Sequence, residues 1–161
     1  MKRYLLLIPL VFLGCSVSNT SEKIKNFTKC YIHQMPAPFW VCYQSSFISV
    51  GKVFTDKVTR LKQEEAFSNG VADLIHKLQN KTKIFLNKLD ITDENTANSI
   101  LESIKSFVII NALQGNSWYS KKEKMLYVEV KVDKNQFEKY LLNELKNVDK
   151  KKFEIAFNES F

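Results

Sequence analysis

Across residues 56–89 apolar side chains recur at three- or four-residue steps, with Val58, Leu61, Val71, Leu74, Leu78, Phe85 and Leu89 on the repeating positions. That is the period of a helix with one buried stripe, and such a stripe requires a second layer to lie against. Ala66 and Gly70 are small residues four apart, which lets their turn approach a sheet closely, although glycine inside a helix costs about 1 kcal/mol relative to alanine. The sheet itself starts just upstream. Residues 46–54 (SFISVGKVF) are β-rich, and Gly51 in their middle marks a bulge or a close approach of another element.

Residues 90–94 (DITDE) read as a stop and restart, with Thr92 as N-cap and acidic residues complementing the dipole of the next helix. That helix carries Ala97, Ile100 or Leu101, Ile104, Phe107 and Val108 on one face and is expected to end near Gly115. Two extended runs, 116–121 and 125–132, then flank the charged turn Lys122-Glu123-Lys124. In the second, Leu126, Val128, Val130 and Val132 alternate with Tyr127, Glu129 and Lys131, as in a half-buried hairpin strand. Asp133 stands where an N-cap is wanted, and Phe137, Leu141, Leu142 and Leu145 give a third helix its stripe. Beyond three lysines the tail FEIAFNESF reads as one further strand or an unordered end. The order β-α-α-β-β-α predicts an α+β fold, a small antiparallel sheet with long helices packed on one face.

The amino terminus has a different character. Lys2 and Arg3 precede an apolar run, residues 5–14 (LLLIPLVFLG), that ends at Cys15. Ten residues are too few to cross a bilayer as a helix, which takes about 20, so the pattern is that of a signal peptide. Its end resembles the bacterial lipobox: Gly14 and Cys15 match, while Phe12 stands where leucine is usual and Leu13 where a small residue is usual. The resemblance implies cleavage before Cys15 and acylation, palmitate included, of its thiol. Each buried methylene then contributes about 0.8 kcal/mol, enough over two or three chains for stable anchoring. Ser16, in place of the aspartate that favours inner-membrane retention in enteric bacteria, points to the outer membrane. The expected organisation is a signal peptide (1–14), a lipidated cysteine and tether (15–36) and one α+β domain (37–161).

Within the tether and its junction, Pro36 and Pro38 favour extended backbone, so Pro38, Phe39 and Trp40 are expected to pack across the domain as a clasp. Cys30 and Cys42 remain as an even pair in an oxidising compartment. Three readings stand open for them: a disulfide worth about 3 kcal/mol on the chain-entropy model, two free thiols, or zinc ligands together with His33. Trp118 and Tyr119, consecutive on a strand, must face opposite ways; one then points outward, as an assembly surface or under partial cover from the tail or clasp.

The charge balance gives little to nucleic acid. Lysine and arginine number 24 against 17 acidic residues; without Lys2 and Arg3 the balance is 22 to 17, or +5, spread along helical faces beside Glu and Asp. No nucleic-acid partner is expected. No nucleophile elbow, zincin motif or phosphate loop occurs. His76 borders the long helix's stripe, and the adjacent pairs Glu64-Glu65 and Asp93-Glu94 point to different sides of a helix, so they make poor acid/base pairs. Neither catalysis, a cofactor nor a bound metal is expected.

Several segments together carry a wider resemblance: a lipidated cysteine, Ala-Pro-x-Trp-Val at 37–41, the glycine-bearing strand, the helix EEAFSNGVADLIHKL and a closing Leu-Tyr-Val-x-Val-x-Val-Asp-Lys. In order and spacing, over roughly residues 37–148, they resemble the twenty-kilodalton antigenic outer-membrane lipoprotein family of epsilonproteobacteria. Cys30, Cys42 and the tail beyond Lys150 depart from it. The resemblance implies a dodecin-like α+β fold and a scaffold, adhesin or antigen, because the family includes the flagellar basal-disc lipoprotein. It implies a lipid-anchored, homo-oligomeric structural component of the envelope. Flagellar or other envelope proteins are its implied partners, and a surface antigen or adhesin-type binding module is the alternative.

Overall fold

In a computed structural model of the chain, residues 29–43 and 45–161 are described. They form β1 (Tyr31–Ile32), β2 (Met35–Pro36), α1 (Phe39–Cys42), β3 (Ile48–Phe54), α2 (Arg60–Lys88), α3 (Glu94–Asn111), β4 (Leu113–Ser120), β5 (Met125–Lys131), α4 (Lys134–Glu144) and α5 (Lys150–Ser160). The fold is α+β. The expected signal peptide and Cys15 lie outside the described residues.

β3, β5 and β4 make an antiparallel sheet in that order, with β5 in the centre, while β1 and β2 form a separate two-stranded ribbon. Side chains alternate as the pattern of β5 demands: Leu126, Val128 and Val130 face α2, and Tyr127 and Glu129 face away. Gly51 marks a close approach and no bulge, since β3 pairs with β5 without a break from Ile48↔Lys131 to Phe54↔Met125. A Cβ on Gly51 would lie 1.7 Å from the Ala66 carbonyl oxygen of α2. The sheet's bulge is instead in β4, between Gln114 and Ser117.

The buried residues of α2 step almost by fours: Ala66, Gly70, Leu74, Leu78, Thr82, Phe85 and Leu86. Steps of four advance a stripe by roughly 40° around a helix of 3.6 residues per turn. The first half of α2 therefore faces β3 and β5, and the second half turns towards α3 and α5. There Leu74, Leu78, Phe85 and Leu86 join Ile100, Ile104 and Val108 of α3, Phe137 and Leu141 of α4, and Phe153 and Phe157 of α5 in one core. α2 stops in a Schellman motif. Asp90 takes φ 60°, its N–H donates to Asn87 O and that of Ile91 to Leu86 O, both at 3.1 Å.

Three boundaries differ from the sequence expectation. Asp93, not Thr92, caps α3, its carboxylate accepting from the Thr96 N–H at 2.8 Å; both residue types suit the position, and the one whose carboxylate reaches an orphan N–H takes it. α3 ends at Asn111, earlier than Gly115, because Leu113 to Ser120 is claimed by pairing with β5. The tail is neither strand nor unordered. It is α5, capped by Asp149 and held by Phe153, Ala156 and Phe157 in the core.

Candidate interaction surface

The sheet face turned away from α2 gathers aromatic and charged side chains. Trp118 of β4 sits opposite Tyr127 of β5 with ring centroids 5.2 Å apart, and Lys52 Nζ lies 5.7 Å above the Tyr127 ring. Tyr119 points the other way, packs against Val53, Ala66 and Leu126, and donates its hydroxyl to the carbonyls of Thr55 at 3.0 Å and Asp56 at 3.3 Å. Of the two aromatics expected at an assembly surface, Trp118 is thus on the outward face and half-buried, and Tyr119, also half-buried, packs on the inner face. Glu129 is 7% exposed on the outward face. Its Oε2 accepts from the N–H and Nδ2 of Asn116 at 3.1 and 3.0 Å, and Gly115 leaves it room: a Cβ there would sit 2.2 Å from Oε2. The bulge in β4 thus presents an amide to a buried carboxylate.

Residues 29–43 lie over this face. Cys30 and Cys42 are joined by a disulfide, Cα atoms 5.6 Å apart, and α1 rests against β5. The turn between β1 and β2 holds His33 and Gln34 at φ 46° and 67°, a left-handed pair that non-glycine residues rarely adopt. It is pinned from both sides. The disulfide closes its base, and His33 Nδ1 meets the Glu123 carboxylate, which also accepts the Tyr127 hydroxyl at 2.9 Å. Burial works against the Glu123 charge, but hydrogen bonds from Tyr127, Ser120 and His33 outweigh it and hold the carboxyl below its usual range. Burial, then the Glu123 contact, pushes the Tyr127 hydroxyl up to about 12. Pro38 is extended and begins α1, so Phe39 and Trp40 are in a short helix and do not cross the domain as an extended strand; Phe39 is exposed and its ring lies 5.2 Å from that of Tyr43.

Alongside β3 runs a trough of about 630 Å³, lined by β3, α1 and α2, that meets a second of about 530 Å³ at Tyr43 and Lys77. α2 supplies its wall from Asn69, Asp73, Lys77 and Lys81, four residues at successive steps of four. Lys77 Nζ donates to the Ser45 and Ile48 carbonyls at 3.1 and 2.6 Å, and Asn69 Nδ2 to the Lys52 carbonyl at 2.9 Å. Burial lowers the Lys77 pKa, and Asp73 opposes that shift. A polar i,i+4 stripe beside the apolar one was the sequence signal for this wall. It looks like a solvated helix face until the position of β3 is known.

Elsewhere the expected residues have structural duties. Glu64 and Glu65 pair with Arg60 and Lys62, Asp93 caps α3, and His76 is exposed. Among the described residues no three His, Cys, Asp or Glu side chains converge where a metal ion could be held, and no helix is long and apolar enough to cross a membrane. An apolar ridge marks the junction of α3 and β4, where Ile109, Ile110 and Leu113 are 58%, 79% and 59% exposed. No protein-family model matches the chain, and no curated protein is significantly similar to it.

Proposed function

We propose that this chain is a non-enzymatic lipoprotein of the bacterial outer membrane, anchored through acyl groups on Cys15, that serves as a structural component of an oligomeric envelope assembly. The observation that carries the reading is the run 5–14 behind Lys2 and Arg3, closed by Gly14 and Cys15. Residues 16–28 separate that cysteine from the first described residue, a span of at most roughly 45 Å when fully extended. The domain would therefore stay close to the lipid surface, and many anchored copies would meet at high effective concentration, so weak contacts suffice for assembly.

The exposed ridge of Ile109, Ile110 and Leu113 and the outward Trp118 supply apolar area for such contacts. Resemblance to the antigenic lipoprotein family makes a scaffold near the flagellar motor the specific form of this role.

Metabolic labelling with a fatty-acid probe tests the anchor: the natural chain takes up label and fractionates with the outer membrane, and a Cys15→Ser chain does neither. Equal fractionation of the two refutes the anchoring. Light scattering on the Cys15→Ser chain tests assembly. Large closed oligomers support the scaffold, whereas a strict monomer at high concentration removes it and leaves an antigen or adhesin-type binding module.

A further inference from the structure

β3 is an edge strand whose backbone polar groups can be assigned to one side or the other. The Phe47 carbonyl accepts from the Val132 N–H at 3.1 Å, and the Thr55 N–H donates to the Lys124 carbonyl at 2.7 Å. Odd-numbered residues thus turn their N–H and C=O towards β5, and by the alternation of a strand Ile48, Val50, Lys52 and Phe54 turn theirs to the open edge. At two of these positions α2 reaches over: Lys77 takes the Ile48 carbonyl and Asn69 the Lys52 carbonyl. Between them nothing among the described residues meets the N–H or C=O of Val50. The Ile48 N–H also donates to the Ser45 carbonyl at 3.5 Å, so the open stretch runs from Val50 to Phe54; with no bulge, proline or further strand on that side, it is a template for strand addition.

We infer that the open edge of β3 is a docking site for an extended acidic peptide segment of a partner protein, added as a further strand in the trough between α2 and α1. The trough has α1 on one side and α2 on the other, so a second copy of this domain presenting its own β3 would bring α1 towards α1 and Lys77 towards Lys77, which like charge disfavours. The charge favours acid. Lys52 and Lys77 line the channel against the one side-chain carboxylate of Asp73, and Lys81 stands in the adjoining hollow. The walls also dictate a sequence pattern. Side chains of the incoming strand would alternate between the outer wall, where Val41, Tyr43 and Val50 are apolar, and the inner wall of α2, where Lys77 stands with Asp73 one turn away. An alternation of apolar and acidic residues is the complement of both. This site belongs to the described domain alone and does not depend on how the chain is anchored.

The test uses the full chain in mild detergent and a dye-labelled, end-blocked peptide of alternating valine and glutamate, read by fluorescence anisotropy. Saturable binding is expected, with little or none for the valine and lysine counterpart. Val50→Pro removes the free edge N–H without touching the β5 ladder, since that N–H faces outward; it should weaken binding about ten-fold or more. Ala72→Trp fills the channel from the exposed surface of α2 and should do the same even if the proline variant folds poorly. The inference is overturned if the glutamate peptide does not bind, if it binds both variants as well as the natural chain, or if the lysine peptide binds equally. Reversible dimers that Val50→Pro abolishes would overturn it too, by assigning the edge to a second copy.

Discussion

Gly51 of β3 and Gly70 of α2 lie backbone to backbone: a Cβ on Gly70 would come 2.8 Å from the Gly51 nitrogen, and one on Gly51 would come 2.6 Å from the Gly70 nitrogen. Neither position needs a left-handed backbone, so the requirement is for space. At Gly51 the obstacle is the α2 backbone, which cannot give way, and Gly51→Ala should destabilise by about 3 kcal/mol or more. At Gly70 the first obstacle is a side-chain methyl, Val130 Cγ2 at 2.5 Å. Behind it stands the β3 backbone, Gly51 N at 2.8 Å, so although alanine gains helix propensity, Gly70→Ala should cost less than Gly51→Ala but still about 2 kcal/mol. Adding Val130→Ala should recover part of the Gly70→Ala loss and none of the Gly51→Ala loss, as a double-mutant cycle in urea would register.

The tail shows where the sequence was ambiguous. FEIAF satisfies two periods at once: Phe153, Ile155 and Phe157 alternate like a strand, while Phe153, Ala156, Phe157 and Ser160 step like a helix. Ile155 is 52% exposed and Ala156 is 3% exposed, which is the helical answer. What decides it is tertiary: besides its i±4 neighbours Phe161 and Phe153, Phe157 lies 6.2 and 6.4 Å, ring to ring, from Phe85 and Phe47, which no local window connects to it. Phe157→Ala should therefore cost about 3–5 kcal/mol, whereas Ile155→Ala should fall within about 0.5 kcal/mol of the natural chain, both measured by chemical denaturation.

The long helix, the alternation of β5 and the Asp133 cap were legible because each is decided within a few neighbouring residues. The trough was not. Its wall is a stripe of Asn, Asp and Lys, and only pairing β3 at an edge gives those residues a strand to face. The clasp was half legible, since Pro36 and Pro38 do hold extended backbone but the helical turn of α1 follows at once.

That clasp should open as a unit. The Ala37 N–H donates to the Cys30 carbonyl at 2.9 Å inside the loop closed by the disulfide, and closing a loop of 12 residues' separation is worth about 3 kcal/mol on the chain-entropy model. Reduction, or Cys42→Ser, should collapse hydrogen-exchange protection at Ala37, where the left-handed His33 and Gln34 would relax, yet leave protection in α2 and β5 nearly unchanged. Equal loss across the sheet would mean that the clasp is integral to the core.

Tyr127 and Glu123 give the domain sensitivity at two ends of the pH scale. Tyr127 titrates near 12 in the fold against an ordinary 10.0, so its contribution is full below about pH 10 and is lost as pH rises towards 12. Glu123 is depressed, so its contribution is present above the ordinary carboxylate range and is lost as pH falls through its lowered value. Tyr127→Phe should flatten the alkaline fall in denaturation midpoint, and it should also shift the acid limb, because it removes a hydrogen bond that keeps Glu123 ionised. A variant with an unchanged alkaline limb would remove Tyr127 from the account.

Thr82 is fully buried in α2, and its hydroxyl has no hydrogen-bond partner among the described residues. Its neighbours along the stripe, Leu78, Phe85 and Leu86, are apolar. An unanswered hydroxyl in such surroundings costs about 1–3 kcal/mol of desolvation. Valine has nearly the same shape and the same β-branched rotamer constraint in a helix, so exchanging one for the other changes polarity and little else. Thr82→Val should raise the unfolding free energy by about 1 kcal/mol. Thr82→Ser keeps the hydroxyl, deletes the methyl and should lower it by about 1 kcal/mol. If valine destabilises instead, the hydroxyl has a partner in solution, and the second half of α2 is wetter than its apolar neighbours imply.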